Sequence, residues 1–91
     1  MSEEEREAAI RAETEQIHKH VQRITELRNP DTEDDTPFVQ AWVLCAEWTN
    51  IECERENKGS ISVTAPHGQM LSASRGLADY IADYYTSGRG D

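Results

Sequence analysis

Cysteine and positive charge are both scarce in this chain. Two cysteines, Cys45 and Cys53, are too few for the disulfide framework of a small secreted domain, and both are expected as free thiols. Nine lysines and arginines stand against 18 aspartates and glutamates, a formal net charge of -9. That balance disfavours direct nucleic-acid binding and binding to an anionic membrane, and suits a basic protein partner better. No run of about 20 apolar residues is present to cross a bilayer. The opening residues MSEEEREAAIRAE are acidic where a secretory leader would be basic and then apolar, so an intracellular protein is expected.

Residues arranged for chemistry are also missing. His18 and His20 lie about 200° apart on a helix and cannot share one ion. His67, Cys45 and Cys53 fall on different elements with none of the zinc spacings, so no metal is expected. Cys45 sits in an apolar segment, where a small buried side chain is the expectation, and Cys53 is flanked by Glu52 and Glu54 rather than by the cations that activate a thiolate. Asp31, Glu33, Asp34 and Asp35 crowd one segment, but it has no glycine for the turn of a calcium loop. No catalytic residue and no cofactor is assigned, and the expectation is a protein that is not an enzyme.

What the chain does hold is one stretch apolar on both sides of a strand, Phe38 to Thr49 (FVQAWVLCAEWT). Alternation puts Phe38, Trp42, Leu44, Ala46 and Trp48 on one side and Val39, Ala41, Val43 and Cys45 on the other. A strand with one wet face alternates apolar with polar residues, so this one is expected to be covered on both faces.

The other elements fall in place around it. Residues 1–28 form a long helix, opened by Ser2 as N-cap with Glu5 three residues on, as in a capping box. Glu7 with Arg11 and Glu15 with Lys19 have the spacing of helical ion pairs. The apolar stripe of this helix is thin: Ile10, Ile17 and Ile24 recur every seventh residue, joined by Val21 and Leu27. It suits packing on the chain's own sheet, pairing with a second copy, or docking in a groove of another protein. Residues 29–37 make an acidic linker that begins where Asn29-Pro30 stops the helix.

Residues 38–86 make the core. After the central strand a charged loop closes at Gly59, expected in the left-handed conformation. Ser60 to Ala65 then alternates strictly, giving an antiparallel hairpin of a twelve-residue strand with a six-residue one. From Ser72 or Ser74 as N-cap, a last helix to Thr86 gathers Leu77, Tyr80, Ile81 and Tyr84 on one face, expected to lie on the sheet. Residues 87–91 are a glycine-rich tail. The fold class is α+β in the order α-β-β-α, and the unmatched length of the first strand points to completion by dimerisation.

The motif W-V-L-C-A-E-W from Trp42, the charged turn, G-x-I-x-V from Gly59 and S-R-G-L-A-D-Y from Ser74 together resemble small uncharacterised proteins encoded by phages of actinobacteria. The resemblance covers residues 37–86, without the acidic first helix. It implies an accessory protein in a bacterial cytoplasm or a virion, and carries no activity with it.

The expected function is that of a small, homodimeric interaction protein. Ile10, Ile17, Val21 and Ile24 of the first helix and Trp42 and Trp48 of the central strand are the candidate interface residues. Two rival expectations stand beside it. An acidic mimic of DNA would use Glu3, Glu4, Glu5, Glu7, Asp31, Glu33, Asp34 and Asp35. A structural component of a virion or assembly would use the open strand edge.

Overall fold

The structure, a computed structural model, describes residues 1–30 and 35–87. Its elements are α1 (Glu3–Arg28), β1 (Leu44–Trp48), α2 (Ile51–Arg55), β2 (Ser60–Thr64) and α3 (Leu71–Thr86). This is the expected N-terminal helix, antiparallel hairpin and C-terminal helix of an α+β chain, with a short helix added inside the hairpin connection. Asp31, Glu33 and Asp34 of the linker and most of the tail lie outside the described residues.

Local chemistry sets both ends of α1. The Ser2 hydroxyl accepts from the Glu5 N–H at 3.1 Å, and Glu3, Glu4 and Glu5 oppose the positive end of the helix dipole. Asn29 caps the other end, its N–H donating to the Glu26 carbonyl at 3.2 Å before Pro30 forbids another turn.

The central stretch is not one long strand. Only Leu44–Trp48 pairs, in register with Thr64 back to Ser60, so the two strands match at five residues each. Pro66 supplies the reason. Two residues beyond the Leu44–Thr64 pair, the register sets Trp42 opposite Pro66, which has no N–H to donate. The ladder stops there, and Phe38–Val43 has no strand pairing.

The hairpin connection carries α2, which local charge density disguised as a loop. The Asn50 side chain accepts from the Cys53 N–H at 2.8 Å to start it. Lys58 N–H to the Cys53 carbonyl at 2.8 Å and Asn57 N–H to the Glu54 carbonyl at 3.0 Å end it, which is the Schellman pattern. The left-handed residue of that pattern is Asn57, with φ 56°, and not Gly59. Asparagine tolerates this region through local hydrogen bonding of its side chain.

α3 begins a turn earlier than its serines suggest. Met70 is the N-cap and makes no side-chain capping bond, its thioether being a poor acceptor, while the Ser74 hydroxyl accepts from Gln69. The helix leaves Tyr80, Ile81 and Tyr85 exposed while Leu77 and Tyr84 are half-buried, so it does not blanket the sheet. Every residue of β1 is exposed, which corrects the expectation of a strand covered on both faces.

Trp42 is the single buried apolar side chain among the described residues, at 6% exposure. The chain presents 8047 Å² of surface, against roughly 5,400 Å² for a compact monomer of its mass. Its radius of gyration is 16.6 Å, where a compact chain of this length has about 12 Å.

Candidate functional site

Two glutamine side chains and a histidine fix where the hairpin sits. The Trp42 indole N–H donates to His18 Nδ1 on α1 at 2.9 Å. Gln22, one helical turn on, accepts from the Val39 N–H at 2.8 Å and donates to the Pro37 carbonyl at 2.7 Å, while also donating to Glu26 at 2.9 Å. Gln69 accepts from the Trp42 N–H at 3.2 Å and donates to the Trp42 carbonyl and the Ser74 hydroxyl, both at 2.9 Å. Each amide thus uses its acceptor and both donors, and stands in for a neighbouring strand that the chain does not supply. The segment from Pro37 to Val43 is tied to α1 on one side and to the start of α3 on the other.

Pairing then decides what each face of the hairpin shows. Residues opposite one another in register share a face. Leu44, Ala46 and Trp48 therefore lie beside Thr64, Ser62 and Ser60, and Cys45 and Glu47 lie beside Val63 and Ile61. The apolar side of each strand meets the polar side of its partner. Each face is half apolar, and the apolar stripes of the two strands are on opposite sides of the sheet. Leu44 is 46% and Trp48 47% exposed on one face, and Ile61 and Val63 are each 65% exposed on the other.

Beside β2 runs a groove of about 670 Å³, lined by Glu7, Ile10, Arg11, Thr14 and Glu15 of α1 and by the consecutive residues Val63 to His67. Val63 and Thr64 point to opposite faces yet both line it, and no β1 residue does. The groove therefore follows the outer edge of β2. Its apolar lining is Ile10, Val63, Ala65 and Pro66, and its charged lining is Glu7 and Glu15 with Arg11 between them in sequence.

The expected interface residues separate into three sets. Ile17 and Val21 are half-buried on the same stretch of α1 as His18 and Gln22. Ile10 and Ile24 are exposed, Ile10 at the groove. Trp42 is turned inward and anchors the fold, while Trp48 stands on an open face. Gln22 and Gln69 were not singled out by the sequence, and His18 was weighed there only as a metal ligand. The one signal for Gln69 was Pro66, whose missing N–H leaves a strand opposite it in need of another partner.

The helical ion pairs expected on α1 are not formed. Among the described residues the pairs are Arg23–Glu26 at 3.5 Å and Lys58–Glu56 at 3.3 Å. Exposed pairs gain little over water for the side-chain freedom they give up. Cys45 is exposed rather than buried, Cys53 is half-buried, and both are free thiols. Among the described residues no three His, Cys, Asp or Glu side chains gather around a possible metal position, and no helix is long and apolar enough to cross a membrane. The chain matches no family model, no curated protein and no solved structure.

Proposed function

We propose that this chain is a non-enzymatic interaction protein that works as a homodimer and binds another protein through the Leu44–Trp48 face of its hairpin. The observation that carries this is the stripe Leu44, Ala46 and Trp48, open to solvent and bordered by the hydroxyls of Ser60, Ser62 and Thr64. A half-exposed tryptophan beside aliphatic residues, within a polar rim, is the composition of a binding hot spot. With a single buried apolar side chain among the described residues, the chain also has little apolar burial to set against the entropy of ordering its backbone, and protein contact supplies more. The resemblance to small phage-encoded proteins agrees with an accessory role in a bacterial cytoplasm or a virion.

Selection from a displayed random-peptide library tests this, with the Trp48→Ala chain as counter-selection. Trp48 is a surface residue, so its removal leaves the far-ultraviolet circular dichroism unchanged. The expected outcome is a set of peptides that bind the native chain and lose about 2 kcal/mol, roughly thirtyfold in affinity, on Trp48→Ala or Leu44→Ser. If no peptide distinguishes the native chain from these variants, the assignment of this face fails.

A second reading, the acidic mimic of DNA, draws on one observation. Of the glutamates on α1, Glu3, Glu4, Glu5, Glu7, Glu13 and Glu15 are all exposed and none forms an ion pair among the described residues, which directs their charge outward. It requires that partner binding collapse as salt rises and that DNA compete for the partner. Salt-insensitive binding would exclude it.

A further inference from the structure

We propose that the outer edge of β2 pairs with β2 of a second copy of this chain, antiparallel about a two-fold axis at Ser62, joining the two hairpins into one four-stranded sheet. The proposal rests on the reading above that this chain's exposed apolar surface serves protein contact, and it specifies the homotypic part of that contact.

Four observations converge on the second copy as occupant. The first is the character of the edge. β2 reads Ser60-Ile61-Ser62-Val63-Thr64, with no charge and no proline, whereas natural edge strands that must stay unpaired carry lysine, proline or a bulge. β1, the other edge of this sheet, carries Glu47.

The second is self-complementarity. Read in either direction, β2 alternates a hydroxyl residue with a β-branched aliphatic one. Antiparallel pairing about Ser62 sets Ile61 against the second copy's Val63, and Ser60 against its Thr64. Both Ile61–Val63 pairs then fall on one face at the centre of the sheet, where each copy alone leaves them 65% exposed. Cross-strand pairs of β-branched residues are a favourable unit of sheet stability, and a two-fold interface requires a patch that matches itself.

The third is area. The chain exposes about 2,600 Å² more than a compact monomer of its mass, a surplus spread over the whole molecule that is ample for the ~800 Å² each partner contributes to a standard stable interface. Two strands alone are marginal in water, three or more are needed for a self-standing sheet, and pairing of two hairpins supplies four.

The fourth is charge. Extending the same register beyond the strands brings the second copy's Lys58 opposite Pro66, at the groove that Glu7 and Glu15 line. Lys58 is exposed and its ion pair with Glu56 lies in solvent, so it can exchange that partner for the Glu7 and Glu15 carboxylates, which outnumber Arg11 in the groove lining. The groove that follows the β2 edge thereby receives the turn that precedes the second copy's β2.

The test uses the full chain in two forms. In a Cys45→Ser, Cys53→Ser background, Ser62→Cys is oxidised with copper phenanthroline and run without reductant. Two-fold pairing places the two introduced thiols side by side, so a covalent dimer is the expected product. Ser60→Cys in the same background is expected to stay monomeric, because the two Ser60 positions lie about 14 Å apart along the paired strands. Cross-linking of both variants to the same extent would overturn the register.

Light scattering after gel filtration supplies the second measurement. The native chain is expected to be a dimer. Ile61→Lys with Val63→Lys, and separately Ile61→Glu with Val63→Glu, are each expected to weaken it at least a hundredfold with unchanged circular dichroism, since these side chains are exposed. Mixing the two variants is expected to restore a heterodimer, because the register sets lysine against glutamate. Charged variants that remain dimeric would show that another surface is used. A monomeric native chain that still selects peptides through Trp48 would overturn the pairing and leave the binding face standing; a dimer that selects none would do the reverse.

Discussion

Gln69 holds Trp42 by both of its backbone groups, accepting its N–H at 3.2 Å and donating to its carbonyl at 2.9 Å. Trp42 is where β2 would have paired had the residue opposite not been Pro66. The side chain of one residue thus performs the work of a strand, and the buried indole that follows from it reaches His18 on α1. With Gln22, which ties Pro37 and Val39 to α1, this pair fixes the position of the hairpin.

Replacing Gln69 with leucine therefore leaves the N–H and carbonyl of a buried residue without partners. The expected loss is about 2 kcal/mol, read as a lower midpoint in urea unfolding. Gln69→Glu keeps the acceptor for the N–H but has no donor for the carbonyl, and should fall between the two. Equal midpoints for native chain and Gln69→Leu would show that the clamp carries no energy.

His18 and Trp42 should be coupled. His18→Leu orphans the indole N–H, whereas His18→Gln still offers it an oxygen. A double-mutant cycle of His18→Leu with Trp42→Phe is expected to give a coupling of about 1 kcal/mol, because the second change removes the donor that the first leaves unmet. Additive effects would mean that the bond at 2.9 Å contributes nothing net.

Gln22 makes a prediction local to one amide. Its side chain is the acceptor for the Val39 N–H, so Gln22→Leu should speed hydrogen exchange at Val39 by tenfold or more while Ala46 in β1 keeps its protection. If both amides change together, the segment and the hairpin open as one unit.

Asn57 and Gly59 exchange their expected roles, and alanine at each reports it. Asn57→Ala forces a side chain with no local hydrogen bond into a left-handed backbone and should cost about 1–2 kcal/mol. Asn57→Gly should be neutral or stabilising. Gly59→Ala should be nearly silent, since its backbone is not left-handed and the new methyl meets the Trp48 carbonyl oxygen at an ordinary 3.5 Å.

Local signals were legible wherever neighbours in sequence settle the outcome. Ser2 with Glu5, and Asn29 before Pro30, marked both ends of α1 because a cap involves residues within one turn of it. The hairpin was legible in the alternation of residues 60–64, and α3 in its 3.6-residue period. Asn50 and Asn57 bound α2 equally well, yet five charged residues between Glu52 and Lys58 concealed a helix of less than two turns.

By itself the sequence determined the order of elements, the free thiols and an acidic surface, because caps, breakers and periodicity act over a few residues and charge is a sum. Only the tertiary structure decided that Phe38–Val43 leaves the sheet, that Trp42 is anchored inside while Trp48 stays open, and that the apolar sides of β1 and β2 face opposite ways. Those outcomes turn on register, and a shift of one residue reverses every side chain in a strand. Here the register sets Trp42 against a proline that has no N–H to donate, and a glutamine three residues further along the chain makes both backbone bonds to Trp42 instead.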